Sequence, residues 1–131
     1  MKKRILIVDD EPDIVSYLEM VLQDNGFDTE TAGNGNEALD AVKANPPDLV
    51  TLDITMPEAS GTRFYKEMRT DPELSQIPVV IVTAVTGLGG DKYAYEKFIS
   101  NRRLVPAPEA FFPKPIDREA FIEAVKGLLA D

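Results

Sequence analysis

Residues 49–53 read Leu-Val-Thr-Leu-Asp, an apolar run that ends on a carboxylate just before a Met-Pro turn at 56–57. A second apolar run, at 5–8, ends in the same way on Asp9 and Asp10. Short runs of this kind are typical of strands that are buried on both faces of a parallel sheet. If the two strands are neighbours, three acids meet at one edge of the sheet. Such like charges repel each other unless a proton or a hard divalent cation joins them.

The composition is that of one acidic globular domain spanning residues 1–131. Hydrophobic residues make up 44% of the chain and charged residues 28%, which leaves enough apolar material for a core. A net charge of -9 argues against direct binding to nucleic acid or to an anionic membrane. The chain has no cysteine and no histidine, which excludes disulfides, thiolate catalysis and histidine ligands. No membrane span or signal peptide is predicted, and we expect a cytoplasmic protein.

Apolar bursts alternate with helical patterns along the chain. The predicted strands lie at 4–9, 27–31, 48–53, 77–83 and 110–112, and the predicted helices begin near 12, 34, 61, 91 and 117. This alternation predicts a single doubly wound α/β domain, with a five-stranded parallel sheet in the flavodoxin-like order 2-1-3-4-5 and helices on both faces. Gly26 is a predicted helix stop, Asn34 and Glu37 a predicted helix start, and Phe64 and Met68 predicted core positions of the third helix.

Ligands of an open α/β sheet bind beyond the carboxyl ends of its strands, near the point where the strand order reverses. Asp9, Asp10 and Asp53 follow the first and third strands. Thr83 follows the fourth strand, and Lys114 lies two residues beyond Phe112 of the fifth. This inventory suits phosphoryl transfer to a carboxylate. Asp9 and Asp10 help to hold Mg²⁺, and Asp53 attacks phosphorus. The Thr83 hydroxyl and the Lys114 ammonium contact the charged phosphoryl oxygens.

The same residues resemble a known family. Five features, in order and at strand ends, resemble the receiver domain of two-component response regulators, including the chemotaxis regulators: Asp9-Asp10, Asp53, Met56-Pro57, Thr83-Ala84 and Lys114-Pro115. The resemblance covers essentially the whole chain. It implies that Asp53 accepts a phosphoryl group from the phosphohistidine of a sensor histidine kinase or phosphotransfer protein.

The resemblance also implies the metal ligands and the switch. Mg²⁺ is bound by the side chains of Asp10 and Asp53, by Asp9 through water and by the main-chain carbonyl of Thr55. In the family, an aromatic residue at the position of Phe111 turns inward when the threonine moves toward the phosphoryl group. The phosphorylated form then alters a surface for a downstream protein or output domain, with a phosphorylation-dependent dimer left open. The domain turns over no external product, so we do not expect an enzyme.

Each site residue also has an ordinary structural explanation. Asp10 is a candidate cap for the first helix, and Glu11 a residue that favours its N-terminus. Thr83 alone is a β-branched strand residue, Lys114 alone a solvated one, and Phe111 alone a core aromatic. The phosphoacceptor interpretation is favoured because these explanations would have to hold at every position together.

Other functions remain open at this point. A receiver-like module that only binds partners usually lacks the acceptor aspartate or the lysine, and this chain has both. An aspartate-nucleophile phosphatase of the haloacid dehalogenase type carries an acid where this chain has Thr55. A flavodoxin-like cofactor binder cradles phosphate after its first strand, where Asp9 and Asp10 would repel it.

One segment departs from the family pattern. Lys114 follows Thr83 by 31 positions, several more than is usual in the family, and prolines replace its Gly-Ala pair before the fifth strand. We expect 86–109 to be mobile and partner-specific. Its aromatic residues are candidates for core packing or a partner surface: Tyr93, Tyr95 and Phe98.

Overall fold

Strands and helices alternate along the described chain, as the apolar runs predict. A computed structural model of the protein describes residues 2–53, 60–84, 109–114 and 116–130. Within these ranges the elements are β1 (Arg4–Val8), α1 (Pro12–Asp24), β2 (Asp28–Ala32), α2 (Gly35–Ala44), β3 (Leu49–Leu52), α3 (Ser60–Thr70), β4 (Val79–Ala84), β5 (Ala110–Lys114) and α4 (Arg118–Leu129). The helix predicted near 91, its aromatic residues and the mobility predicted for 86–109 concern residues outside the described ranges, apart from Glu109.

The strands of the described ranges form one parallel sheet in the order β2-β1-β3-β4-β5, which is the predicted order. β1 pairs with β2 on one side and with β3 on the other, so that Val8 lies opposite both Ala32 and Leu52. The direction in which strands are added reverses at β1. The carboxyl ends of β1 and β3 therefore flank the crevice where ligands of this fold class bind.

Two apolar clusters cover the two faces of the sheet, because successive side chains of a strand point to opposite sides. Leu6 and Val8 belong to one cluster, whereas Ile5 and Ile7 belong to the other. The helix residues of the first cluster come from α2 and α3: Ala38, Val42, Phe64, Tyr65 and Met68. Those of the second come from α1 and α4: Leu18, Val21, Leu22, Phe121, Ile122 and Val125. Helices therefore lie on both faces, as predicted.

The local signals for helix ends are confirmed. Gly26 has a φ of 89°, in the left-handed region that glycine adopts without strain. Its N–H donates to the carbonyl of Gln23 at 3.1 Å, and the N–H of Phe27 donates to that of Leu22 at 3.0 Å. These two hydrogen bonds form a Schellman motif, which satisfies carbonyls at the end of α1 and reverses the chain toward β2.

α2 begins with the predicted side-chain cap. The side-chain oxygen of Asn34 accepts the N–H of Glu37 at 2.9 Å. The Glu37 carboxylate in turn accepts the N–H of Gly33 at 3.1 Å, one residue earlier than in a simple capping box. Asp117 caps α4 in the same way, accepting the N–H of Ala120 at 3.1 Å. These contacts satisfy N–H groups that have no partner inside a helix.

Some predicted strand limits were wrong by one or two residues. β1 ends at Val8, so Asp9 lies just past the strand predicted for 4–9. The Asp9 carboxylate accepts the N–H of Glu11 at 2.9 Å, which turns the chain out of the strand. β4 begins at Val79, because the N–H of Ile77 belongs to a turn and Pro78 has no N–H to donate.

The pattern of α3 did not predict a buried arginine in its last turn. Only 6% of Arg69 is exposed. Its Nε donates to the Tyr65 hydroxyl at 3.1 Å, and one terminal nitrogen donates to the carbonyls of Ser75 at 3.0 Å and Ile77 at 2.9 Å. The other terminal nitrogen forms an ion pair with Glu109. This network fixes the connection between α3 and β4, and it satisfies a charge that would be costly to bury alone.

The cap of α2 gives a stability prediction. We expect Asn34→Ala to lower the free energy of unfolding by about 1 kcal/mol, because the N–H of Glu37 loses its acceptor. The measurement is urea unfolding followed by far-UV circular dichroism. Asn34→Ser keeps an acceptor oxygen and should stay within a few tenths of a kcal/mol of the wild type. Equal losses in the two variants would contradict this account.

Candidate functional site

Four carboxyl groups meet at the carboxyl ends of β1 and β3. Asp9, Asp10, Glu11 and Asp53 each contribute one carboxylate oxygen to a group whose members all lie within 4.8 Å of one another. The pairing of β1 with β3 brings them together, since the N–H of Asp53 donates to the carbonyl of Val8 at 3.0 Å. The predicted convergence of the three aspartates is therefore confirmed.

The cluster has a buried half and an exposed half. Asp9 is 3% exposed and Asp53 is 1% exposed, whereas Asp10 and Glu11 are exposed. Carboxylates are seldom buried without a specific partner or a bound cation, because burial disfavours their charged form. The buried pair forms the floor of the site, and the exposed pair forms its rim toward solvent.

The N-terminus of α1 adjoins the same cluster. Glu11 is the N-cap residue, without a side-chain capping hydrogen bond, and Pro12 is the first helical residue. Asp10 is therefore not the cap of α1, which removes the ordinary explanation for this residue. Glu11 was expected only to favour the helix, yet its carboxylate also belongs to the acidic group. The partial positive charge of a helix N-terminus favours acids at this position.

A groove of about 260 Å³ lies beside the acids on the side of β2. Its lining is mixed, with two acids at one end and small or apolar residues along it: Asp9, Asp10, Pro12, Val15, Thr31, Ala32 and Gly33. The N–H of Asp9 donates to the carbonyl of Ala32 at 3.1 Å and so fixes the floor of the groove. The groove therefore borders Asp9 and Asp10 of the acidic group, whereas Asp53 is not part of its lining.

The main chain places the remaining predicted residues along the same edge. Thr83 lies opposite Pro113, and Ala84 lies opposite Lys114 in the pairing of β4 with β5. Thr83 and Lys114 thus lie at the carboxyl ends of the two strands that follow β3 in the sheet. The main chain of Phe111 lies further back in β5, whereas Thr55 lies outside the described residues.

The donor set fits a hard cation. All four groups are carboxylates, and oxygen ligands are those that Mg²⁺ prefers, with water completing its coordination. The cluster contains no sulfur or imidazole donor that would favour a softer metal.

None of the helices in the described ranges is both long and apolar enough to cross a bilayer.

Comparison with known proteins agrees with this geometry. The response regulator receiver domain family matches residues 5–126. The polar-differentiation response regulator DivK of Brucella anthropi is 34% identical over 131 residues, covering 100% of this chain and 99% of DivK. Protein Rrf1 of Nitratidesulfovibrio vulgaris is 41% identical over 88 residues, which cover 67% of this chain and 64% of Rrf1.

A solved structure shares the fold over nearly the whole chain. The signal receiver domain of a signal transduction histidine kinase from Syntrophus aciditrophicus superposes with a TM-score of 0.81 at 29% identity. The match covers 98% of this chain and 90% of that structure. The family match includes the residues of the acidic group as well as strands β4 and β5. The chain therefore belongs to the receiver domain family of two-component response regulators.

Proposed function

We propose that Asp53 is the phosphoacceptor and that its phosphorylation depends on Mg²⁺. The observation that carries this proposal is the position of Asp53. The residue is 1% exposed and lies just beyond β3, and its carboxylate belongs to a group of four that lie within 4.8 Å of one another. A buried acid at the reversal point of the sheet is placed to react with a ligand bound in the crevice.

In this proposal, Asp53 and the acids around it form the Mg²⁺-binding site. Asp10 and Asp53 bind Mg²⁺ through their carboxylates, Asp9 contributes through water, and Thr55 contributes its main-chain carbonyl. Glu11 adds negative charge at the rim of the same cluster. When bound, the cation neutralises charge on the carboxylates and on the phosphoryl oxygens.

The phosphoryl donor is the phosphohistidine of a sensor histidine kinase or of a phosphotransfer protein. A carboxylate oxygen of Asp53 attacks phosphorus, the O–P bond forms as the N–P bond breaks, and the imidazole nitrogen leaves with the electron pair and takes up a proton. Thr83 and Lys114 contact the equatorial phosphoryl oxygens, where a hydroxyl and an ammonium stabilise negative charge.

Phosphorylation then changes a protein–protein surface. The phosphoryl group favours one of two conformations, Thr83 and Phe111 act as the switch, and a downstream protein or output domain binds that form. The net charge of -9 supports a protein partner rather than direct binding to nucleic acid. We place this exchange in the cytoplasm and do not class the domain as an enzyme, because it modifies only itself.

Phosphorylation on Asp53 can be tested directly. With Mg²⁺ and phosphoramidate, a small donor with a P–N bond, the intact protein should gain the mass of one phosphoryl group. Asp53→Asn removes the nucleophile and should abolish the gain, while Asp13→Asn should not, because Asp13 is an exposed α1 acid outside the cluster. No gain in the wild type would favour a module that only binds partners. A gain that persists in Asp53→Asn would place the acceptor elsewhere.

The proposed Mg²⁺ site predicts that Mg²⁺ raises the free energy of unfolding. Mg²⁺ at 100 times its dissociation constant should raise the free energy of unfolding by about 2.7 kcal/mol, because only the folded chain assembles the site. The measurement is urea unfolding with and without Mg²⁺. Asp10→Asn should lose most of the gain, and Asp13→Asn should retain it. An equal gain in all three proteins would locate the cation outside the cluster.

A further inference from the structure

Arg69 and Glu109 form an ion pair that joins α3 to the residue before β5. The Arg69 side chain is 2% exposed and that of Glu109 is 32% exposed, so the guanidinium is buried while the glutamate is partly open to solvent. The guanidinium carbon also lies 5.1 Å from the centre of the Tyr65 ring, which adds a cation–π contact. The pair belongs to the buried network of α3 and lies away from the acidic site.

Glu109 is bound at the same time to the first residue of β4. Its N–H donates to the carbonyl of Val79 at 3.0 Å, and its carboxylate accepts the N–H of Val79 at 2.7 Å. The same carboxylate oxygen contacts Arg69. Glu109 is thus held through both its main chain and its side chain, at the end of the β4–β5 pair opposite the acidic site.

This attachment sets the register of β5. Counting from Val79 and Glu109, the pairing continues through Val80 with Ala110 and ends at Ala84 with Lys114. β5 is an edge strand, and Pro113 cannot donate a hydrogen bond to the ladder near its end. A slip of one residue would move every β5 side chain to the opposite face of the sheet. The pairing of Glu109 with Val79 therefore fixes the position of Lys114 opposite Ala84.

We propose that Arg69 and Glu109 are positioning residues for phosphoryl transfer, which act by holding β5 in the register that brings Lys114 to the site. This inference rests on the proposed role of Lys114. It assigns a role in the reaction to two residues at the far end of the sheet, which contact neither the acids nor the crevice.

The test compares Glu109→Ala, Lys114→Ala and the double variant. The measurement is the rate of Asp53 phosphorylation at saturating phosphoramidate and Mg²⁺. We expect Glu109→Ala to slow the reaction about tenfold, because a small displacement of a reacting group is costly. In the Lys114→Ala background the same substitution should cause no further loss. Independent losses that multiply in the double variant would overturn the inference.

Two further measurements separate positioning from a general loss of stability. The increase in stability on adding Mg²⁺ should be unchanged in Glu109→Ala, since the acids follow β1 and β3. Interstrand nuclear Overhauser effects between Ala84 and Lys114 should weaken or shift. A native β5 pairing in Glu109→Ala, or a weakened Mg²⁺ effect, would overturn the inference. Should Glu109→Ala not fold, Glu109→Gln is measured in its place, because it removes the charge and keeps an acceptor for Val79.

The matched control is Glu30→Ala, which removes an ion pair between Glu30 and Arg4 in the β1–β2 part of the sheet. It should leave the phosphorylation rate and the β5 pairing unchanged. A loss as large as that of Glu109→Ala would show that any ion pair at the sheet matters, and would overturn the inference. A wild type without phosphorylation would instead overturn the proposed function, while the β5 pairing would still report whether Glu109 holds the strand.

Discussion

The parallel pairing of β1 with β3 is the constraint on which the site depends. Val8 lies opposite Leu52, and the residue that follows each strand is an almost completely buried aspartate. The hydrogen bond from the N–H of Asp53 to the carbonyl of Val8 extends this pairing by one step. A shift of either strand by one residue would separate the carboxylates, because alternate residues face opposite sides of a sheet.

The apolar character of the two strands and the acidic character of their ends act against each other. β1 and β3 supply residues to the cores on both faces, which brings the strands together. The same association crowds four carboxylates within 4.8 Å. The N-terminus of α1 adjoins the acids, and the partial positive charge of a helix N-terminus offsets part of the resulting repulsion. The apolar packing on both faces of the sheet therefore holds together four carboxylates that would otherwise repel one another.

Features encoded by near neighbours in the chain could be predicted from the sequence. The cap formed by Asn34 and Glu37 and the stop at Gly26 each depend on residues a few positions apart, so the pattern alone reveals them. The acids could be predicted to converge because a parallel sheet aligns its carboxyl ends. The ion pair between Arg69 and Glu109 could not be predicted, because 40 positions separate the two residues. In the sequence, each is typical of a charged surface residue.

The attachment of Glu109 also bears on how this fold can change over evolutionary time. The chain between β4 and β5 returns to the sheet at a residue whose position is set by Val79 and Arg69 rather than by the length of the connection. Closing a longer connection costs little, about 0.6 kcal/mol for each doubling of its length. Insertions in this connection are therefore compatible with an unchanged register of β5. Because Glu109 fixes the first pair of β5, a change in the length of the connection need not displace the strand.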